Sequence, residues 1–291
     1  MLALDTRTAL TRQRGLAEGI AALAPLVPCG LFLDAGPAAQ RQRSVPQGAV
    51  VAALESAGVP LLGLMWRPEH GTQHHMAVDG HEGVLAAKAC AAAIATLPQL
   101  RTRTLVLHCG DGGLADAQDL RTASAGHQNE RVAQLHCARQ AAFEAAVERL
   151  LRRLHALLSA CSGVRILLRN EADAASLLTA DSAEWLLAEL SKAGLGIALD
   201  SGAAGLAATR GGLTAEGWLA RHGGAARLLL LSDHDGQNRA DVLPGLGRTL
   251  AAEFATLRAG ESPRVLCLDP ELDAHALLVG ARFAAGLCGA Q

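Results

Sequence analysis

A chain of 291 residues is about the length of one (β/α)8 barrel, and with half its positions hydrophobic, 2% aromatic and no tyrosine it must build its core from leucine, alanine and valine. A formal charge of −2 argues against a basic nucleic-acid-binding face, and no apolar run is long enough to cross a bilayer. The start, MLALDTRTALTRQRG, lacks the apolar stretch of a signal peptide, and the seven scattered cysteines include no CxxC pair, so reduced thiols in a cytoplasmic protein are expected.

Taken in order, the chain alternates short apolar runs with helix-like sequence. Leu2–Asp5 reads as a weak first strand, followed by a helix over Gly15–Leu26 that Pro25 and Pro28 end. Gly30–Asp34 is the second strand, Gln47–Ala57 a helix stopped by Gly58, and Leu61–Met65 the third strand. Trp66–Gly80 is a polar loop; its histidines, His70, His74 and His75, read as solvated. His81–Leu97 is an alanine-rich helix and Thr104–His108 the fourth strand. Asp111–Gln128, rich in Gly, Asp, Ala and Ser, reads as one long loop of the kind that walls a site. Arg131–Ala160 is a long helix. Then come a strand at Arg165–Arg169, a helix at Ser182–Ala193, and a strand at Gly196–Asp200 with a glycine-rich turn directly behind it. A helix at Thr214–His222, a strand at Leu228–Ser232, a helix at Arg248–Leu257, a strand at Val265–Asp269 and a last helix at Leu272–Leu287 complete eight strand–helix units.

Strands that are continuous apolar runs are buried on both faces, which implies a parallel sheet covered by helices. The expected fold is therefore α/β, a single (β/α)8 TIM barrel spanning residues 1–291. Several of these strands end in a charged or polar residue, and the C-terminal strand ends are where such a barrel keeps its chemistry. An open doubly wound sheet would need a glycine-rich phosphate loop after the first strand, and after Asp5 no glycine occurs until Gly15. A Schiff-base aldolase is set aside too. The only lysines, Lys88 and Lys192, sit in helix-like sequence away from strand ends.

From the fourth strand onward the strand ends resemble those of the xylose isomerase-like TIM barrels, which include sugar isomerases and epimerases and the endonuclease IV enzymes. The resemblance rests on LVLHCG at 105–110, ILLRN at 166–170, ALDSGAA at 198–204, LLSDHDG at 230–236, DVLPGLG at 241–247 and LCLD at 266–269. It implies a site in which Glu, Asp, His and Glu from strands five to eight hold a divalent metal while two carboxylates shuttle a proton. Here the pattern departs from the family. Arg169 stands for the first Glu, Leu230 for the His and Asp269 for the last Glu; Asp200 is kept, and Ala203 replaces the turn histidine. Leu230 and Ala203 stand where a multi-zinc DNA-repair site would need histidines.

The resemblance makes Asp269, Asp200, Arg169 and His108 the expected catalytic set, with the Arg169 guanidinium between two carboxylates in place of the ion. Glu171 points the same way as Arg169, one alternation further out. Glu171, His234, Gly245, Gly247 and Arg248 are the expected substrate contacts. Gly245–Thr249 is suited, by its place at an expected helix start, to hold an anion together with Arg248. The expected site needs no cofactor; the fallback is one divalent metal (Mn, Mg, Co or Zn) on Glu171, Asp200 and Asp269, helped by His108 or His234. Cys109 should face the barrel wall. The implied function is a sugar or sugar-phosphate isomerase/epimerase-like protein acting on a small keto or aldo sugar or polyol. The alternative is a non-catalytic barrel used for binding or assembly. The expected partner is a small molecule, with no nucleic acid and no membrane; self-association is left open.

Overall fold

The computed structural model describes residues 2–5, 29–34, 47–66, 76–237, 240, 242, 247–248 and 264–266. Eight parallel strands close into a barrel in chain order: β1 (Leu2–Asp5), β2 (Cys29–Asp34), β3 (Leu61–Trp66), β4 (Thr104–His108), β5 (Arg165–Arg169), β6 (Leu195–Asp200), β7 (Ala226–Leu231) and β8 (Arg264–Leu266). The ring shuts where Leu4 of β1 meets Leu266 of β8. The described helices are α1 (Gln47–Ala57), α2 (Gly80–Thr96), α3 (Ala117–Ala125), α4 (Asn129–Ala160), α5 (Ala180–Leu190), α6 (Ser201–Ala208) and α7 (Ala215–His222).

Side chains alternate along each strand, so one set lines the barrel and the other faces the helices. Met65, Val106, Leu167, Ala198, Leu228 and Leu230, with Phe32, form the cluster inside the barrel. Their neighbours Leu64, Trp66, Leu105, Leu107, Ile166, Leu168, Ile197, Leu199, Leu229 and Leu231 pack outward against the helices. Continuing the inward set by one alternation at the C-terminal end brings His108, Arg169, Asp200 and Ser232 into one layer above this apolar plug. Lining up β4 with β5 puts His108 beside Arg169, and β6 with β7 puts Asp200 beside Leu230. Gly63 is forced by the same packing: a Cβ there would lie 2.5 Å from the Thr104 carbonyl and 2.7 Å from the Phe32 ring.

Most expected elements recur within a residue or two, and two are corrected. The expected loop 111–128 contains α3. Ala117, Leu120 and Ala123 repeat every third residue and are buried with Leu135 of α4 and Ala175. The expected glycine-rich turn after Asp200 is helix α6, started by the Asp200 carboxylate, which accepts from the Ala203 N–H at 3.0 Å. Its glycines permit close approach: a Cβ on Gly202 would strike Ser232 Oγ and the Asp233 carbonyl, and one on Gly205 would sit 2.5 Å from the His234 ring.

Helix α4 has 32 residues, about 48 Å at 1.5 Å per residue, against five in β4 and β5. Ala146, Val147, Leu150, Leu154, Leu157 and Leu158 pack on the barrel's outer core, whereas Leu135 packs with α3 in a separate small cluster. At the end of α7, the Trp218 and His222 rings meet in a tilted contact, with centroids 5.3 Å apart and planes at 49°. No described helix is long and apolar enough to cross a membrane. The expected helices at 15–26, 248–257 and 272–287 and the histidines of the 66–80 loop lie outside the described residues.

Candidate functional site

Above the barrel plug, four charged or polar side chains form one hydrogen-bonded line. Asp200 is fully buried. Its Oδ1 accepts from the Ala203 N–H at 3.0 Å and from the Ser232 hydroxyl at 2.7 Å, and its Oδ2 accepts from Arg169 Nη2. The second end of the Arg169 guanidinium, Nη1, lies 3.0 Å from His108 Nε2. A guanidinium only donates, so Nε2 accepts and the ring proton sits on Nδ1. That proton points at Glu171 Oε1, 3.2 Å away. The order Glu171–His108–Arg169–Asp200 therefore fixes His108 as the neutral Nδ1–H tautomer. Arg169 and Asp200 are sealed, with side chains 8% and 0% exposed, while His108 and Glu171 at 14% each are the members that meet the mouth.

The backbone around this line is pinned. Asn170 is buried; its Oδ1 accepts from the Asp200 N–H at 2.6 Å, and its Nδ2 donates to the Asp200 carbonyl at 3.0 Å. The amide thus extends the β5–β6 pairing past its last register pair, Arg169 and Ala198. Ser201 Oγ donates to the Ser232 carbonyl at 2.6 Å and accepts from the Ser232 N–H at 3.1 Å, tying the start of α6 to the end of β7. Gly110, at φ +66°, turns its N–H toward Glu171 Oε1 at 3.5 Å and offers its carbonyl to the Leu177 N–H at 2.7 Å.

The surroundings of the Glu171 carboxyl push its pKa up from 4.5 to about 7. Burial is the largest cause and nearby Asp173 adds to it; the Ser176 hydroxyl, the Gly110 N–H and the charge of Arg169 partly offset them. Cys109 is buried, and desolvation, with Glu171 nearby, pushes its thiol well above the ordinary range, which leaves it inert as a nucleophile.

Solved structures share this architecture over nearly the whole chain. A D-tagatose 3-epimerase-like protein superposes with a TM-score of 0.68 at 12% identity, covering 99% of this chain and 97% of that one. D-psicose 3-epimerase from Clostridium cellulolyticum H10 gives 0.66 at 14%, covering 99% and 98%. 3-Keto-D-glucoside 4-epimerase from E. coli gives 0.63 at 14%, covering 94% of each chain. The fold is that of the xylose isomerase-like TIM barrels. No protein-family model matches the chain, and no curated protein matches it in sequence.

Within this xylose isomerase-like barrel the expected site residues fall into three groups. His108, Arg169, Asp200 and Glu171 come together at the mouth. Glu171, expected as a substrate contact, is in the same hydrogen-bonded line as the expected catalytic residues. His234 does not join them. It is buried with its ring against Gly205 of α6, and its Nδ1 has no partner among the described residues. The N–H groups of Gly247 and Arg248, expected to hold an anion, are already used: Gly247 donates to Asp233 Oδ2 at 3.0 Å and Arg248 to the His234 carbonyl at 2.9 Å. Asp269 and Gly245 lie outside the described residues. Ser232 and Asn170 were not anticipated. Only the alternation of β7, which turns Ser232 inward two positions after Leu230, could have pointed to the first.

Proposed function

We propose that this protein is a sugar isomerase/epimerase-like enzyme that moves a proton next to the carbonyl of a small keto or aldo sugar or sugar phosphate. The reading is carried by one observation: a partly exposed carboxyl, Glu171, is hydrogen-bonded through His108 to a sealed guanidinium at the barrel mouth. A base whose pKa is near neutrality has the driving force to take a proton from carbon and the protonation state to accept it. In this reading Glu171 takes the proton from the carbon beside the carbonyl. The electron pair moves onto the carbonyl oxygen to give an enediolate, whose charge the Arg169 guanidinium stabilises through His108. The proton of the adjacent hydroxyl passes to that oxygen, which moves the negative charge to the second oxygen, and return of the proton from Glu171 to the former carbonyl carbon, as the new carbonyl forms, completes a 1,2-shift. One base serves one face of the carbon, so isomerisation fits these residues better than two-base inversion.

The fold's relatives in sequence pattern imply a divalent metal, and the donor set here suits one poorly. The outward oxygen of Asp200 faces a permanent cation, its other oxygen serves two protein donors, and both ring nitrogens of His108 are engaged. Among the described residues no three metal-ligating side chains converge. The Arg169 guanidinium supplies the fixed positive charge in this reading.

A second reading, a barrel used only for binding, is favoured by how completely Asp200 and Arg169 satisfy each other out of reach of solvent. Incubating dialysed protein of measured metal content with a panel of ketoses and aldoses in D2O separates the two. Carbon–deuterium exchange without stoichiometric metal, lost in Glu171→Gln, is expected. Exchange with no substrate of the panel favours the binding module, and one bound metal per chain required for exchange overturns the metal-free reading.

A further inference from the structure

The segment that carries Glu171, between β5 and α5, is held by arginines from three different helices or their ends. Arg210, just past α6, donates to the Ala172 carbonyl at 3.3 Å and also to the Gln237 carbonyl. Arg139 of α4 donates to the Ala175 carbonyl at 3.2 Å. Arg121 of α3 donates to Asp173 Oδ2 through Nε at 2.8 Å and Nη2 at 2.7 Å, and its Nη2 also reaches Asp111 Oδ2.

Arg121 differs from the other two in what it joins. Asp111 comes three residues after His108 on the loop behind β4, and Asp173 two residues after Glu171 on the loop behind β5. Both carboxylates reach the same nitrogen, so they face each other across a gap only a few ångströms wide. Without the guanidinium, two partly buried negative charges would repel and drive the two loops apart. Those loops carry the two ends of the His108–Glu171 contact. The fork holds Asp173 through Nε and Nη2 while Nη2 also holds Asp111, so a lysine ammonium, a single donor point, would keep the bridge but lose the second bond to Asp173.

We propose that Arg121 is a positioning residue for the site. It clamps the β4 and β5 loops through Asp111 and Asp173, and so keeps Glu171 within hydrogen-bond reach of His108 Nδ1. Working geometry of this kind must hold to within about 0.5 Å, which a repelling carboxylate pair next door would not permit. The proposal rests on the reading of Glu171 and His108 as the working pair, but its test needs no substrate.

The test is imidazole ¹⁵N NMR on the full chain at mildly alkaline pH, with His108→Asn used to assign the His108 signals. In the unaltered protein His108 is expected to show an Nδ1 proton that is shifted downfield and slow to exchange because Glu171 accepts it, and an unprotonated Nε2 held by Arg169. In Arg121→Gln, with folding checked by circular dichroism and thermal melting, the Nδ1 proton is expected to move upfield and exchange faster with water while Nε2 stays unprotonated. Adding Asp111→Asn to Arg121→Gln removes the repulsion and is expected to restore the protected Nδ1 proton, which a general loss of stability would not do. An unchanged shift and exchange rate of the Nδ1 proton in folded Arg121→Gln overturn the proposal. If that variant does not fold, Arg121→Lys is read in its place, with a smaller change expected and no change again overturning it. A protein that shows no carbon–deuterium exchange yet loses the protected Nδ1 proton in Arg121→Gln would refute the enzymatic reading and leave the clamp standing.

Discussion

Glu171 is the residue whose environment differs most from its place in the sequence. Below pH 4.5 its carboxyl is protonated folded or unfolded; between 4.5 and about 7 it is protonated only in the folded chain; above about 7 the fold must hold a buried charge. Its contribution to stability is therefore fully present below 4.5 and is lost as pH rises through about 7. At about 1.4 kcal/mol per pH unit the loss amounts to roughly 3 kcal/mol at most. Glutamine stays neutral, so the stability of Glu171→Gln relative to the unaltered protein should improve by up to that amount between about pH 4.5 and about pH 8. Urea unfolding at several pH values measures it, and a difference independent of pH would mean that the carboxyl is solvated. The line from Glu171 to Arg169 was legible because Arg169 ends an apolar strand and Glu171 follows it by one alternation. Asn170 and Ser232 were not, because a small polar residue at a strand end looks the same whether it bonds a neighbouring strand or water.

Among the elements, α6 is the one whose sequence conceals it. Two glycines in eight residues lower helix propensity, so SGAAGLAA reads as a turn. What the propensity omits is the neighbour: the helix runs so close to the β7 loop that a larger residue does not fit. Gly205→Ala should push a methyl into the His234 ring and destabilise by about 1–3 kcal/mol, the usual cost of overpacking. His234→Ala removes the obstacle, so the double variant should be more stable than the sum of the two single changes predicts. Strict additivity in denaturant titrations would show that the ring has room to turn away. Helix α3 was missed for a related reason. Its apolar face is three residues, Ala117, Leu120 and Ala123, too few to show a period until Leu135 and Ala175 are seen to cover them.

At the scale of the whole molecule, the barrel follows from its strands. Apolar runs with no polar face require cover on both sides, and eight of them in alternation with helices leave a closed parallel ring as the simplest arrangement. The boundaries of β1 to β7 were legible to within two residues because both inward and outward positions are leucine-rich and most runs end where a charged or polar residue appears. The joining of loops across the mouth was not legible. The Asp111–Arg121–Asp173 contact connects residues up to 62 positions apart in charge only, with no apolar pattern to announce it. The long α4 shows the same limit: its periodicity predicts a helix, but not that its second half packs on the barrel while Leu135 packs on α3.

The ring contact of Trp218 with His222 has an optical consequence. With no tyrosine and three tryptophans, ultraviolet emission comes from Trp66, Trp185 and Trp218 alone. Trp66 is 1% exposed, Trp185 39% and Trp218 6%. The spectrum should therefore combine a blue-shifted part from Trp66 and Trp218 with a red-shifted part from Trp185, the one an aqueous quencher such as iodide reaches first. Protonated imidazole quenches indole emission on contact. Burial, together with the neighbouring charge of Arg221, holds the His222 pKa below its ordinary 6.5. Blue-shifted emission should thus stay constant through neutral pH and dim only on the acid side of 6.5. His222→Gln should abolish that dimming while leaving the iodide-sensitive part alone; if the dimming survives, another group quenches Trp218.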